Sequence, residues 1–182
     1  MIWWAAYLVL LAALVVRVVP PGTTGRPPLQ PEPDEPLRLV TAHHALFYAI
    51  LLGAPLEALV LGGVASGRRL GVLLFAAGVA LYRVAGRALG DALSPLVSPR
   101  PGAALVTSGP YRYLRHPMYI GQALIALGAP LTLGCRWVVW LALPALVVLG
   151  IRAALEDAAL GRAFPGHGGW AARTKRVIPF VF

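Results

Sequence analysis

Long apolar runs separated by short polar breaks dominate this chain. Five runs are long enough to form helices, at residues 2–19, 39–65, 70–89, 118–133 and 137–155. A helix needs about 20 apolar residues to cross a bilayer, with a range of about 17 to 25. Unpaired backbone groups are costly in lipid, so helices are expected rather than open strands. The pattern therefore predicts an all-α, polytopic membrane protein of about five transmembrane helices.

Two of these runs contain residues that disturb a helix. The fourth is short and includes Pro130, and the second is interrupted by Gly53, Pro55 and Glu57, where a kink or an early end is expected. Gly134 directly follows the fourth run and indicates a tight turn. Helices four and five are therefore predicted to form an antiparallel hairpin.

Composition supports the membrane class. Hydrophobic residues make up 58% of the 182 residues and charged residues 13%, whereas soluble domains carry about 25% charged residues. The net charge of +9 is explained by basic residues at the cytoplasmic membrane face, so nucleic-acid binding is not expected. Cys135 is the only cysteine of the sequence, which excludes an internal disulfide and a thiolate metal cluster.

The positions of Lys and Arg predict the orientation in the membrane. With the N-terminus outside, the outside turns hold Arg68, Arg69 and Arg136, and all others of the 16 Lys and Arg residues lie inside. This bias predicts a cytoplasmic C-terminus. The first run lacks a basic region before it and is followed by Pro20 and Pro21, so it is predicted to be a retained helix rather than a signal peptide.

Two loops stand out between the runs. Residues 20–36 are rich in proline and carry Glu32, Asp34 and Glu35, which predicts an extended surface loop. Proline also breaks residues 91–104, which cannot be regular helix throughout. We divide the chain into an N-terminal part with helices one to three, at 1–104, and a core of loop, hairpin and cytosolic tail, at 105–182.

A dense polar and aromatic block precedes the fourth helix. Arg112, Arg115 and His116 lie directly before Pro117, which is expected at the first helical position. Charge beside a bilayer is costly unless it faces water, headgroups or a ligand. A helix N-terminus attracts anions such as carboxylates. The block is therefore the first candidate for a functional site.

The end of the fifth helix carries a second group of charges. Arg152 and Glu156 are four residues apart and share a helix face, which fits either a local ion pair or a Glu156 carboxylate that meets a cationic ligand. Both interpretations stay open. In the tail, Lys175 and Arg176 are explained by binding to lipid headgroups.

The histidines outside the polar block do not suggest a metal site. His43 and His44 lie in the second run without a carboxylate or cysteine at ligand spacing, so packing or interfacial placement is favoured over metal binding. His167 lies in a glycine-rich stretch and is predicted to be part of a loop. We therefore expect no metal.

Three ordered motifs carry a resemblance to a known family. They are GPYRYLRHPMY at 109–119, EDAAL at 156–160 and RTKRVIPF at 173–180. At these residues the chain resembles the isoprenylcysteine carboxyl methyltransferases and is similar to the related membrane phospholipid N-methyltransferases. The resemblance covers residues 105–180.

The resemblance implies S-adenosylmethionine as cofactor and methyl donor, in a cytoplasm-facing pocket built from the loop before helix four, the hairpin and the tail. It implies contacts to the cofactor from Gly109, Pro110, Tyr111, His116, Tyr119 and Glu156. It also places Arg115 and Arg173 near the substrate and its reacting group, as the catalytic residues.

The acceptor stays open between several classes. The resemblance implies a lipophilic or membrane-partitioning substrate, such as the carboxylate or thiolate of a prenylcysteine-like group. A carboxylate or thiolate needs little beyond alignment with the methyl group, whereas an amine, as in a phospholipid N-methyltransferase, needs a proton acceptor such as Glu156 or Asp157. Trp170 and His167 stand where the family usually has two tyrosines, which favours a third possibility, a non-catalytic membrane protein with the same fold.

Overall fold

The structure is a computed structural model that describes residues 1–15, 31 and 33–176. Six α-helices follow one another in this part of the chain. They are α1 (Ile2–Val15), α2 (Leu37–Val60), α3 (Arg68–Leu89), α4 (Pro117–Leu133), α5 (Ala142–Ala163) and α6 (His167–Ala171). No strand occurs among these residues, where pairing is limited to an isolated bridge between Leu114 and Lys175. The predicted all-α class is confirmed for the described chain.

Three stretches are long and apolar enough to cross a membrane: Leu37–Val60, Arg68–Ala92 and Val138–Ala163. The helices α1 and α4 are apolar but shorter, with 14 and 17 described residues. These helices support an integral membrane protein. The count of five spans and the outside placement of the N-terminus stay predictions.

Helix boundaries differ from the sequence pattern in two places. α2 continues through Pro55 and ends at Val60, before the end of the apolar run. α5 is preceded by a 3₁₀ turn, Val138–Leu141, and extends to Ala163, beyond the predicted end. Most of the predicted loop at 20–36, the end of the first run at 16–19 and the tail motif beyond Arg176 lie outside the described residues.

Glycines allow α3 and α4 to pack with their backbones in contact. A Cβ atom on Gly78 would lie 2.7 Å from the carbonyl oxygen of Gly121, and one on Gly128 would lie 2.3 Å from the backbone nitrogen of Phe75. Small residues permit such close approach between membrane helices. This contact fixes α4 in the middle of the bundle, where it also packs on α1, α2 and α5.

The predicted hairpin of α4 and α5 is present, and α2 holds its turn. Gly134 adopts a left-handed conformation with φ 76° at the end of α4. The buried carboxylate of Glu57 then accepts backbone hydrogen bonds from Arg136 at 2.6 Å and from Val138 at 2.7 Å. Trp137 donates to the same carboxylate at 3.1 Å. The acidic residue that interrupts the second apolar run thus anchors the connection between α4 and α5.

The tail lies beside the loop that precedes α4. The backbone N–H of Arg115 donates to the carbonyl of Lys175 at 2.7 Å, and that of His116 donates to the carbonyl of Arg176 at 3.1 Å. In return, the N–H of Lys175 donates to the carbonyl of Tyr113 at 3.1 Å. The polar block and the described end of the tail therefore form one unit.

The irregular loop at 90–104 is tied to the start of α2. After a short 3₁₀ turn, Gly90–Ala92, the loop has no regular helix up to residue 104, as the prolines predict. The buried side chain of Glu35 accepts hydrogen bonds from the backbone N–H of Val97 at 2.6 Å and of Ser98 at 3.2 Å. A residue of the predicted acidic cluster therefore holds this loop.

Candidate active site

A cavity of about 520 Å³ lies between the loop at 90–104, the start of α4 and the end of α5. Small-molecule sites usually enclose about 300 to 1,000 Å³. Residues of α2, α3 and α6 also line it. The motifs at 109–119 and 156–160 contribute side chains, so the cavity is the candidate active site.

One side of the cavity is apolar and aromatic. Tyr111 and Trp170 are buried next to each other with Met118 packed against them. The indole Nε1 of Trp170 donates a hydrogen bond to the backbone carbonyl of Tyr111 at 2.9 Å. Burial raises the pKa of the Tyr111 phenol above its usual value, so this side chain stays neutral. The wall can pack against a flat, apolar group.

The turn that presents Tyr111 begins at two of the predicted cofactor contacts. Gly109 and Pro110 start the 3₁₀ turn Gly109–Arg112, and Gly109 has a φ of 59°, which favours glycine. Among the described residues that line the cavity, Tyr111 is present but Gly109 and Pro110 are not. In the structure these two residues shape the wall rather than form it.

The adjacent carboxylates Glu156 and Asp157 face different surroundings. Glu156 lines the cavity, and its Oε2 accepts a hydrogen bond from the hydroxyl of Tyr119 at 2.6 Å. Asp157 is buried and accepts hydrogen bonds from Nη1 of Arg115 and from Nε of Arg176, each at 2.7 Å. Asp157 therefore anchors the tail, while Glu156 remains beside the cavity.

His116 connects the two carboxylates. It is the residue before α4, is 4% exposed, and its Nε2 lies 3.1 Å from Oδ1 of Asp157. Its Nδ1 lies 3.9 Å from Oε2 of Glu156. The imidazole stacks on the ring of Tyr119 with centroids 5.4 Å apart and an angle of 9° between the planes. The predicted residues His116, Tyr119 and Glu156 thus come together at one end of the cavity.

Arg152 does not form the ion pair with Glu156 that its spacing allows. Its Nη1 lies 2.6 Å from Nδ1 of His43, and its Nη2 donates to the carbonyl of Pro95 at 2.8 Å. The guanidinium carbon also lies 5.7 Å from the ring centre of Tyr119. Both Arg152 and His43 line the cavity. Sequence reasoning missed His43 as a site residue, and no local motif links it to Arg152.

The two predicted catalytic arginines occupy different positions. Arg115 lines the cavity and is held by Asp157. Arg173 is exposed and is not among the described residues that line the cavity. Its backbone N–H nevertheless donates to the carbonyl of Trp170 at 3.0 Å, next to the aromatic wall. The structure therefore brings Arg115, but not Arg173, into contact with the cavity.

Two expectations about the tail need correction. His167 does not lie in a loop: it begins α6, is buried, and its Nε2 is 3.7 Å from Oδ1 of Asp157. Arg176 is not simply available to lipid headgroups, because its guanidinium is bonded to Asp157. In both cases the tail residue lies beside the buried carboxylate of Asp157. Lys175 is exposed, as headgroup binding requires.

Metal ligands do not gather in the described residues: no group of at least three His, Cys, Asp or Glu side chains there could hold a metal ion. His43 and His44 stack on each other, with ring centroids 5.0 Å apart. The favoured packing interpretation agrees with this stacking, although both rings also line the cavity.

Comparison with known proteins identifies the family. No curated protein matches the chain. The model of the phospholipid methyltransferase family matches residues 67–166, more than half of the sequence. The match covers α3, α4 and α5 and includes both His116 and Glu156. The chain therefore belongs to the phospholipid methyltransferase family, one of the membrane methyltransferases that its motifs resemble.

Proposed function

We propose that the chain is an integral membrane methyltransferase that uses S-adenosylmethionine and methylates a lipophilic acceptor in the cavity described above. The observation that carries the proposal is the position of Glu156. Its carboxylate lines an aromatic cavity, beside His116 and Tyr119, in a chain of a methyltransferase family. A cationic donor needs an anionic partner of this kind.

The residues present fit the donor. The wall of Tyr111 and Trp170 offers an aromatic surface to the adenine. Glu156 offers a carboxylate to the ammonium group of the amino-acid part. The hydroxyl of Tyr119 donates to that carboxylate, and Nδ1 of His116 lies 3.9 Å from it. Gly109 and Pro110 set the turn that presents Tyr111. When bound, S-adenosylmethionine supplies an activated methyl group on a positively charged sulfur.

The chain itself contributes the positions of the groups around the reactants. Asp157 holds Arg115, His116 and Arg176 together, which joins the loop before α4, the end of α5 and the tail beside the cavity. Methyl transfer to an anion neutralises charge, and apolar surroundings such as the aromatic wall favour this reaction. Alignment of the two reacting atoms supplies much of the remaining acceleration.

For the acceptor we propose a carboxylate or thiolate on an apolar chain, such as a prenylcysteine-like group. Arg115 lines the cavity, and its Nε is buried without a hydrogen-bond partner among the described residues. A guanidinium in this state can bind a carboxylate by paired hydrogen bonds. Arg173 is proposed for the edge of the site, because it follows the wall residue Trp170.

Calorimetric titration of the purified chain with S-adenosylhomocysteine tests the donor site. We expect binding by the wild type and a loss of affinity of about tenfold in Glu156→Gln, which removes a charge-assisted contact to the ammonium group that S-adenosylhomocysteine shares with the methyl donor. Arg162→Gln is the matched control, because Arg162 is exposed on the same helix and lies outside the cavity lining. Absence of wild-type binding would contradict the proposal.

A methylation screen with labelled donor tests the acceptor. The panel contains a prenylcysteine carboxylate, a lipophilic thiol and phosphatidylethanolamine, and mass spectrometry locates the new methyl group. We expect label on oxygen or sulfur. Label on the headgroup nitrogen would assign the chain to phospholipid N-methylation, and donor binding without any product would support a non-catalytic role.

A further inference from the structure

Arg152 is a buried cation without a counter-ion in the described structure. The residue is 2% exposed, although it belongs to α5 and lines the cavity. Its hydrogen-bond partners are the ring of His43 and the carbonyl of Pro95, and its Nε has no partner there. Among the described residues, no carboxylate lies within ion-pair distance of its guanidinium.

The two neighbouring carboxylates make their hydrogen bonds to groups other than Arg152. Glu156 accepts the hydroxyl of Tyr119, and Asp157 accepts from Arg115 and Arg176. Arg115, another cation at the cavity, is therefore neutralised by Asp157, whereas Arg152 faces neutral atoms and the ring of Tyr119. An arginine cannot lose its proton in a protein, and an unpaired buried charge is costly. Intramembrane ionisable residues of this kind mark ligand sites.

We propose that Arg152, positioned by His43 and Pro95, binds an oxyanion of a molecule in the cavity. The class is a carboxylate or a phosphate, because both accept paired hydrogen bonds from a guanidinium. Arg152 is then a second guanidinium for anions in the cavity, beside the one proposed for Arg115. The cavity is lined by the carboxylate of Glu156 and the guanidinium of Arg152. This pair matches one ligand that carries both a positive and a negative group, or two ligands that carry one each.

Two molecules could carry this oxyanion, because each contains a carboxylate or phosphate group. The methyl donor carries a carboxylate on its amino-acid part, and a lipophilic acceptor can carry a carboxylate or phosphate of its own. An oxyanion that belongs to the methyl donor rests on the proposed function. An oxyanion that belongs to the methyl acceptor requires only the cavity.

The donor experiment compares S-adenosylhomocysteine with 5′-methylthioadenosine, which has the same nucleoside and sulfur but no amino-acid part. Both ligands are titrated into the full chain in neutral detergent. The titration is made with the wild type, with Arg152→Gln and Arg152→Lys, and with the control variant Arg162→Gln. If the donor supplies the anion, Arg152→Gln weakens S-adenosylhomocysteine about 10- to 100-fold and leaves methylthioadenosine unchanged. Arg152→Lys recovers part of the affinity, because lysine keeps the charge but not the planar donors.

The acceptor experiment uses native mass spectrometry to measure retention of dodecanoate and of its uncharged methyl ester by the same variants. If the acceptor supplies the anion, the wild type prefers dodecanoate and Arg152→Gln loses this preference, while donor affinity is unchanged. Retained binding of the neutral analogues shows that the variant is folded.

The inference is overturned if Arg152→Gln weakens each anion and its neutral analogue equally, or weakens neither, since Arg152 would then be a structural link between α5 and the loop. It is also overturned if the wild type prefers neither anion. A wild type that binds S-adenosylhomocysteine but shows no dependence on Arg152 leaves the proposed function intact. A wild type that prefers dodecanoate but binds no nucleoside supports the inference and contradicts the proposed function.

Discussion

Arg115 donates a hydrogen bond to Asp157 at 2.7 Å, which joins the loop before α4 to the end of α5. The same Oδ2 atom accepts Nε of Arg176 at 2.7 Å, so a single carboxylate also holds the tail. Two cations on one buried anion make Asp157 the common anchor of the loop before α4 and of the tail.

Replacing Asp157 should therefore release the tail. In Asp157→Asn, Arg115 and Arg176 lose their counter-ion, and we expect a loss of about 2 to 4 kcal/mol in the free energy of unfolding. Thermal unfolding in detergent measures the loss, and faster trypsin cleavage after Arg173, Lys175 or Arg176 reports the tail directly. Asp34→Asn is the control, because Asp34 is exposed. Equal melting and cleavage in both variants would show that Asp157 does not hold the tail.

Glu35 should control the order of the loop at 90–104. Its carboxylate accepts the backbone N–H groups of Val97 and Ser98, and a charged hydrogen bond contributes about 1.5 to 3 kcal/mol. In Glu35→Ala, amide exchange in this loop should become about tenfold faster or more. Hydrogen exchange with mass spectrometry measures the change, with Asp34→Ala as control. Unchanged exchange at these amides would contradict the role of Glu35.

Glu57 should stabilise the α4–α5 hairpin. Its carboxylate accepts the N–H groups of Arg136, Trp137 and Val138, and without it buried donors lose their partners. We expect Glu57→Ala to lower the free energy of unfolding by about 1 to 3 kcal/mol. The stability of Glu57→Gln should fall between that of the wild type and that of Glu57→Ala, because the carbonyl oxygen of glutamine still accepts a hydrogen bond. Thermal unfolding measures the series, and an unchanged melting temperature in Glu57→Ala would be the opposing result.

Cys135 should be unreactive in the folded protein. Its buried Sγ donates to the carbonyl of Ala54 at 3.2 Å. Burial, together with the nearby Glu57 carboxylate, raises the pKa of the thiol to about 12. Because the thiolate is the reactive form, maleimide labelling at pH 7 to 9 should be at least about 100-fold slower than in protein unfolded by detergent. Equal labelling rates before and after unfolding would place the thiol at the surface.

The sequence was sufficient for features that depend on local pattern. Apolar runs predicted the helices, Gly134 predicted the hairpin turn, and the Arg-His-Pro block predicted where polar side chains meet the cavity. Family motifs also point to Glu156, which lines the cavity, and its contact with the cofactor stays a prediction. Each of these depends on residues close together in the chain, where spacing determines geometry.

Features that depend on distant contacts were not predictable. The contact of His43 with Arg152 joins residues 109 positions apart. Glu57 likewise contacts the connection between α4 and α5, which lies 79 to 81 positions away. Glu156 and Asp157 are neighbours in the sequence but point in different directions from the helix. Glu156 therefore lines the cavity, whereas Asp157 bonds the tail. His167 was mistaken for a loop residue because glycines surround it, whereas contact with α5 places it in a short helix.

His43 comes from α2, which lies outside the matched segment at 67–166. The cavity is therefore assembled from the matched segment and from residues outside it. Mutation in α2 can change the wall near Arg152 while the Arg-His-Pro block and Glu156 stay as they are. The shape of this side of the cavity can thus change without any change in the motifs of the family.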